Sequence, residues 1–359
     1  MIIYVIDHYV IAGNIKIIGM IESYQSCIWD LQFYGLDDFE LVCAGTPENI
    51  DLLQEGRMLV RDCDIDGVKY SHVALLNRVE LSFEPESGYL LRCYGKGLKS
   101  LLTRRVVWEQ INADNDFLAA VVYNVLHDNI IAPDDTARAI DNFVAGAPGF
   151  TTPKITCQLQ GQNIAEWLEE VCTESEIGWD VDIYDGDYMF SLLQGTDRTS
   201  DQSTVPPVIF SPGFDNLLSS TYTKSREEYH NAALVGGEGE GTDRVCVGVG
   251  TASGLDRYET FIDASDVSSN GEIITMATYK DMLKQAGAEA LAEAGKVETF
   301  EGEIIPDGFY KLGTDYFLGD VVEVVNGLGI RAKARIIELC YSYDENGAKV
   351  SPVFGAWEV

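Results

Sequence analysis

The sequence predicts a mainly β chain with an α+β insert, and three observations carry that prediction. Apolar residues alternate in short runs between turn dipeptides over residues 1–102 and again over 211–359, while helical spacing is concentrated in 103–210. The last part of the chain also repeats a pattern written near its start. The first copy runs from Gly56-Arg57-Met58-Leu59-Val60 to Arg78-Val79-Glu80-Leu81, then through Glu86-Ser87-Gly88 to Tyr94-Gly95. The second runs from Gly319-Asp320-Val321-Val322-Glu323-Val324 to Arg335-Ile336-Ile337-Glu338-Leu339, then through Glu345-Asn346-Gly347 to Phe354-Gly355. Each is an alternating strand, an Arg–Glu–Leu strand and a hairpin that closes on an aromatic residue followed by glycine. Chance likeness is the alternative, since period-2 patterns resemble one another easily.

In chain order, Trp29, Leu31 and Phe33 alternate, then Phe39, Leu41 and Cys43 after Gly35-Leu36-Asp37-Asp38, as a hairpin with one buried face requires. Asp66-Gly67 and Ser87-Gly88 mark further turns, so 1–102 reads as a small antiparallel barrel or sandwich. Asp114 or Asn115 then caps a helix carrying Phe117, Leu118, Val121, Val122, Val125 and Leu126, which Pro133 stops. A strand over Lys154 to Gln160 precedes a helix from about Asn163 with Ile164, Trp167, Leu168 and Val171. Trp179, Val181 and Ile183 alternate into an Asp185-Gly186 turn, and Tyr188 to Leu193 returns. The span 103–210 therefore reads as a separate unit, with Thr196 to Pro207 as its exit linker. From Ile209 strands resume around a flexible Gly236–Gly241 tip and a helix with Met282, Leu283, Ala286, Ala290 and Leu291.

Composition narrows the function. Asp and Glu number 58 against 25 Lys and Arg, a formal net charge of -33. Such a chain repels nucleic-acid phosphates and anionic membranes unless a basic patch intervenes, and Lys96, Lys99, Arg104 and Arg105 make only a small one. The eight cysteines stand singly, without C-x-x-C spacing, and read as reduced buried thiols. The segment Met1 to His8 lacks the pattern of a signal peptide, and no apolar run reaches membrane-spanning length.

Chemical motifs are weak throughout. Asp62-x-Asp64-x-Asp66-Gly67 opens like a calcium loop, but the twelfth position is Val73 rather than a bidentate Glu, which favours a hairpin turn. The Gly236–Gly241 cluster lacks the Lys-Ser/Thr of a phosphate loop, and Glu238 and Glu240 would repel a phosphate. His8, His72, His127 and His230 have no metal-ligand spacing, and no serine, cysteine or zinc hydrolase signature is present. The expectation is a protein without catalytic residues, metal or cofactor.

Four stretches carry a family likeness: Gly95-Lys96-Gly97-Leu98-Lys99-Ser100-Leu101-Leu102 with Arg105; Gly178-Trp179 to Gly195-Thr196-Asp197-Arg198; Asn231 to Gly237; and Gly254-Leu255-Asp256-Arg257-Tyr258-Glu259 with Asp263-Ala264. Together they resemble the siphophage tail-hub proteins, which are similar to the N-terminal hub part of tail-associated lysins and to contractile-phage baseplate hubs. The resemblance implies two tube-type β-barrel modules per chain, 1–102 and 211–359, with 103–210 inserted between them. It also implies a homotrimer that continues a sixfold tail ring as a structural adapter, in a virion made in the host cytoplasm. Implied partners are the distal tail or tail-tube protein, the tape-measure protein, and a spike, fibre or receptor-binding protein. DNA would pass through the channel without specific binding, past an acidic wall whose repulsion reaches about 8–10 Å. A tail-tip cell-wall or glycan hydrolase and a monomeric carbohydrate-binding β-protein are the alternative functions.

Overall fold

The computed structural model describes residues 2–7, 16–63, 69–86, 88–265, 267, 275–295, 297–305, 308–345 and 347–355. The chain forms two compact units, one of residues 1–220 with 301–359 and one of residues 221–300. The larger unit begins with strands β1 (Ile3–Ile6) and β2 (Ile17–Ile21), the hairpin β3 (Ser26–Gln32) and β4 (Asp38–Ala44), and helix α1 (Pro47–Leu52). A meander follows: β5 (Met58–Cys63), β6 (Lys69–Glu84) and β7 (Gly88–Gly97). Next come β8 (Ile111–Phe117), α2 (Leu118–Leu126), β9 (Phe143–Ala145), β10 (Lys154–Leu159) and α3 (Ile164–Glu174). The hairpin β11 (Gly178–Tyr184) and β12 (Asp187–Leu193) leads to β13 (Ile209–Phe210) and β14 (Leu217–Ser225), which carries the chain into the smaller unit. That unit contains β15 (Ala232–Gly236), β16 (Cys246–Val249), β17 (Glu259–Asp263) and α4 (Met276–Glu293), and β18 (Val297–Ile304) returns from it. A second meander, β19 (Val321–Val325), β20 (Arg331–Asp344) and β21 (Gly347–Phe354), completes the fold.

The molecule is mainly β, as the sequence predicts. Its two meanders do not close separately into barrels among the described residues; both belong to one 14-stranded sheet, joined where β20 pairs with β3.

The repeat is real at the level of backbone pairing. Gly56 at φ 82° donates its N–H to the Leu76 carbonyl, and Gly319 at φ 90° donates to that of Ile336, both at 2.8 Å. Leu76 N–H returns to Arg57 O, as Ile336 N–H does to Asp320 O. The register of each central strand then shifts, leaving Asn77 in β6 and Ile337 in β20 as the extra residue of a β-bulge. Counted from the bulge, Leu81 corresponds to Tyr341, not to Leu339 as the Arg–Glu–Leu match suggests. A shift of two residues preserves every side chain's face, so a period-2 comparison cannot detect it.

The helices follow their apolar spacing with one correction. Asn163 caps α3 through its side-chain oxygen, which accepts from Ala165 N at 3.0 Å, and the helix buries Ile164, Trp167, Leu168 and Val171. Asp114 and Asn115, expected to cap α2, lie instead within β8, which pairs with β10. The α2 amino end is served from outside by the Pro153 carbonyl and the Thr152 hydroxyl. Leu118, Val121, Val122, Val125 and Leu126 of α2 join α3, β11 and β12 in one core with Val60, Val73 and Leu75 of the first meander. Each such side chain contributes about 1.5–3 kcal/mol on burial. Residues 103–210 thus share their core with the meander rather than standing apart.

In the smaller unit β15 is central, antiparallel to β16 and parallel to β17, and α4 packs Tyr279 and Leu283 against Val235. Gly287 permits that approach, since a Cβ there would lie 2.5 Å from Val235. The glycine-rich tip is tied more firmly than its composition suggests. Gly237 N–H donates to Val245 O, Glu238 N–H to the Tyr279 hydroxyl, and Arg244 to the carbonyls of Gly236 and Gly237.

Candidate functional site

Two of the stretches that carry the family likeness, 95–105 and 178–198, meet at a buried seam in the larger unit, while 231–237 and 254–264 lie in the smaller one. Lys99, read from sequence as part of a basic patch, is buried: its ammonium donates to Gln32 O, to Gly35 O at 3.2 Å and to Asp37 Oδ1 at 3.1 Å. It also lies 5.4 Å from the centre of the Trp179 ring, whose Nε1–H donates to Tyr34 O. Burial pushes the Asp37 carboxyl up to about 6 against the opposing pull of Lys99. Gly178 and Gly319 hold the Phe33 ring between them; a Cβ on either would stand 2.3 or 2.2 Å from its carbons. The expected exit linker is laced into the same seam. Asp320 accepts from Thr196 N, Phe317 N and Arg198 Nε, and Arg198 N–H donates to Val321 O. Arg335 adds bonds to Gly319 O at 2.9 Å and Glu176 at 2.7 Å. With its charges paired and its donors engaged, the seam locks three stretches of chain together.

Above the seam, one polar face of the sheet continues across six strands. A row runs Lys349, Ser342, Ile28, Glu40, Tyr94, Arg78 from β21 to β6, with each residue opposite the next. Asp30, Asp38, Glu80 and Asp344 share this face with Arg92 and Lys96. Lys96 pairs with Asp38 at 2.6 Å, Arg78 with Glu80 at 3.0 Å, and the Arg78 guanidinium covers Tyr94 at 4.3 Å. The opposite face, with Trp29, Leu41, Cys93 and Leu339, is core.

The two meanders differ at one place. In the second, the outer edge of β20 from Glu338 to Asp344 is covered by β3. In the first, β5 reaches only to Leu75 along that side of β6, and no described strand pairs with the edge beyond Arg78. The core-side face there is also uncovered: Leu81, Phe83 and Tyr89 are 50%, 64% and 58% exposed, whereas Tyr341, the counterpart of Leu81, is 8% exposed.

Chemical motifs do not assemble. Among the described residues no group of three or more His, Cys, Asp or Glu is placed to hold a metal ion. Asp64 and Asp66 lie outside the described residues, as does His8; the strands on either side of the former pair antiparallel, with Asp62 opposite Ser71. His72 meets the Tyr341 ring, His127 contacts Asp128, and the His230 N–H donates to Ala294 O. Cys27, Cys93 and Cys172 are buried free thiols, pushed by burial to about 12. No helix among the described residues is long and apolar enough to cross a membrane.

Over residues 7–356 the sequence matches the family described as Siphovirus ReqiPepy6 Gp37-like protein. The chain belongs to that family of siphovirus tail proteins. Three solved structures share the fold of this tail protein. The 43 kDa tail protein of prophage MuSo2 from Shewanella oneidensis is 13% identical, with 99% of this chain and 98% of that one covered at a TM-score of 0.58. The tail protein from Neisseria meningitidis MC58 is 14% identical, with 99% and 96% covered at 0.55. Prophage tail protein gp18 from Listeria monocytogenes EGD-e is 9% identical, with 100% and 95% covered at 0.51. No curated protein sequence matches the chain.

Proposed function

We propose that this tail protein is a non-enzymatic hub: a homotrimer whose two modules per chain, 1–102 and 211–359 around the 103–210 insert, make a pseudo-sixfold adapter ring at the distal end of the tail. The uncovered edge of β6 carries the reading. Within one chain β3 of the first module seats on β20 of the second. The equivalent seat on β6, from Arg78 to Glu84, needs the equivalent strand of a second module, and that strand can come only from another copy. By chain order it is β14, which precedes the second meander as β3 precedes the first and is exposed along most of its length. Repeating this contact around three copies closes both kinds of module into one tube-like ring, and strand addition satisfies the open backbone while covering Leu81, Phe83 and Tyr89.

The ring joins the tail tube or distal tail ring to a spike, fibre or receptor-binding protein, with the tape measure and then DNA in its channel. The family assignment supports a place in the tail, and the net charge of -33 supports a wall to which DNA does not adhere. Light scattering on the purified protein, alone and with the adjoining tail ring, tests the assembly. A trimer is expected, with Leu81→Glu/Phe83→Glu reverting to monomer at an unchanged melting temperature. A wild-type monomer in both settings, or a trimer indifferent to those charges, removes the proposal.

A further inference from the structure

The 103–210 segment contains a surface pocket of about 400 Å³ that the hub reading leaves unused, and we infer that it binds a neutral saccharide. Its floor is built from Trp108, Asn129 and Arg138. The chain after α2 widens into a π-helical turn, His127–Ile131, which places Asn129 at 2% exposure beneath the pocket. Asn129 Oδ1 accepts from Trp108 N at 3.2 Å and Arg138 Nη2 at 3.0 Å, while its Nδ2 donates to Val125 O at 2.9 Å. Arg138 also donates to Val106 O and lies 4.0 Å from the Trp108 ring centre, so the indole is held in place. Yet Trp108 is 53% exposed, whereas Trp29, Trp167 and Trp179 are buried. Exposing an indole is costly, and fixing it from one side preserves a rigid apolar platform at little entropic cost on binding.

The rim supplies the complementary half of the chemistry. Glu109, Asp128 and Asp134 line the pocket, and among the described residues neither the Glu109 nor the Asp134 side chain has a hydrogen bond or ion pair. Free carboxylates beside an apolar ring suit a ligand with one C–H face and several hydroxyl donors, which describes a pyranose. They disfavour anionic sugars and phosphates, because one arginine already committed to two acceptors faces four acids, Asp135 being the fourth. The proposal is independent of the trimer and survives if the hub reading fails.

Trp108 tryptophan fluorescence supplies the readout. Maltotetraose and the tetramer of β-1,4-linked N-acetylglucosamine are titrated separately into the intact protein, followed by Trp108→Ala, Glu109→Gln and Asp134→Asn, with calorimetry as a second readout for the variant lacking the indole. At least one sugar should bind, and each substitution should weaken it about tenfold, equivalent to 1.4 kcal/mol, with the melting temperature unchanged. Binding of neither sugar, or equal binding by Trp108→Ala, overturns the inference. A lysine tetrapeptide that binds where both sugars fail would assign the pocket to cationic peptides instead.

Discussion

Lys99 and Asp37 illustrate what a single residue means only in its fold. Gly97-Leu98-Lys99 reads as exposed and basic, because burial of a lysine cannot be seen until Gln32, Gly35 and Asp37 are brought around it from a distant turn. Removing the ammonium leaves a carboxylate inside the protein without its counter-charge, so Lys99→Met should destabilise by about 3 kcal/mol at neutral pH in urea denaturation. The pH dependence has a definite sign. Asp37 holds its proton more tightly in the folded chain, near 6, than at its ordinary 3.8, so its favourable contribution is complete below about 4 and is lost as pH rises through about 6. Denaturation between pH 4 and 7 should show that decline in the wild type, and Asp37→Asn should flatten it. Glycine offers a cleaner contrast. Gly319 and Gly329 have φ of 90° and 81°, but only at Gly319 would a Cβ strike the Phe33 ring, at 2.2 Å. Gly329→Ala should cost about 1 kcal/mol from the backbone alone, and Gly319→Ala about 3 or more. Comparing their denaturation midpoints isolates the ring contact.

Among the elements, those with strong local signals were legible. The start of α3 at about Asn163, the Asp185-Gly186 turn and both meanders stand where periodicity and turn chemistry put them. A tertiary partner hides the start of α2 from the sequence: Thr152 and Pro153 make a capping side chain unnecessary, and β8 takes up Asp114 and Asn115. The register of the repeat slipped for the geometric reason that strands alternate with period two. The bulge that fixes the true register gives a test. Deleting Asn77 leaves Leu76 and Arg78 opposite the consecutive residues Gly95 and Tyr94, so every side chain keeps its face while the bend and added twist of the bulge are lost, which should cost about 1–3 kcal/mol in urea denaturation. Asn77→Gly retains the extra residue and should cost under about 1 kcal/mol.

At the scale of the molecule, the candidate assembly edge was invisible from sequence because it is defined by what β6 lacks and β20 has. Charge governs how copies meet there. With -33 on each chain, association works against long-range repulsion, so the proposed trimer should tighten as salt rises from about 0.05 to 0.3 M, measured by sedimentation. The polar sheet face, with Asp30, Glu40 and Asp344 among its carboxylates, is the candidate channel wall. Particles bearing Asp30→Lys and Glu40→Lys should assemble but eject DNA more slowly at low salt and recover as salt rises, because the new cations bind phosphate with counterion release. Ejection at the original rate at every salt concentration would mean that this face does not line the DNA path.

The pairing of β3 with β20 also sets a schedule. Ser26 to Asp344 must all be synthesised before that ladder can form, so the inner edge of β3 emerges from the ribosome with its partner still some three hundred codons away. Until then the nascent chain presents an unpaired strand to every neighbour, and chains whose synthesis stops early never acquire the cover. The edge of β3 is therefore closed only once Asp344 has been made, and a chain that stops before it leaves that edge open to any neighbour on the polysome.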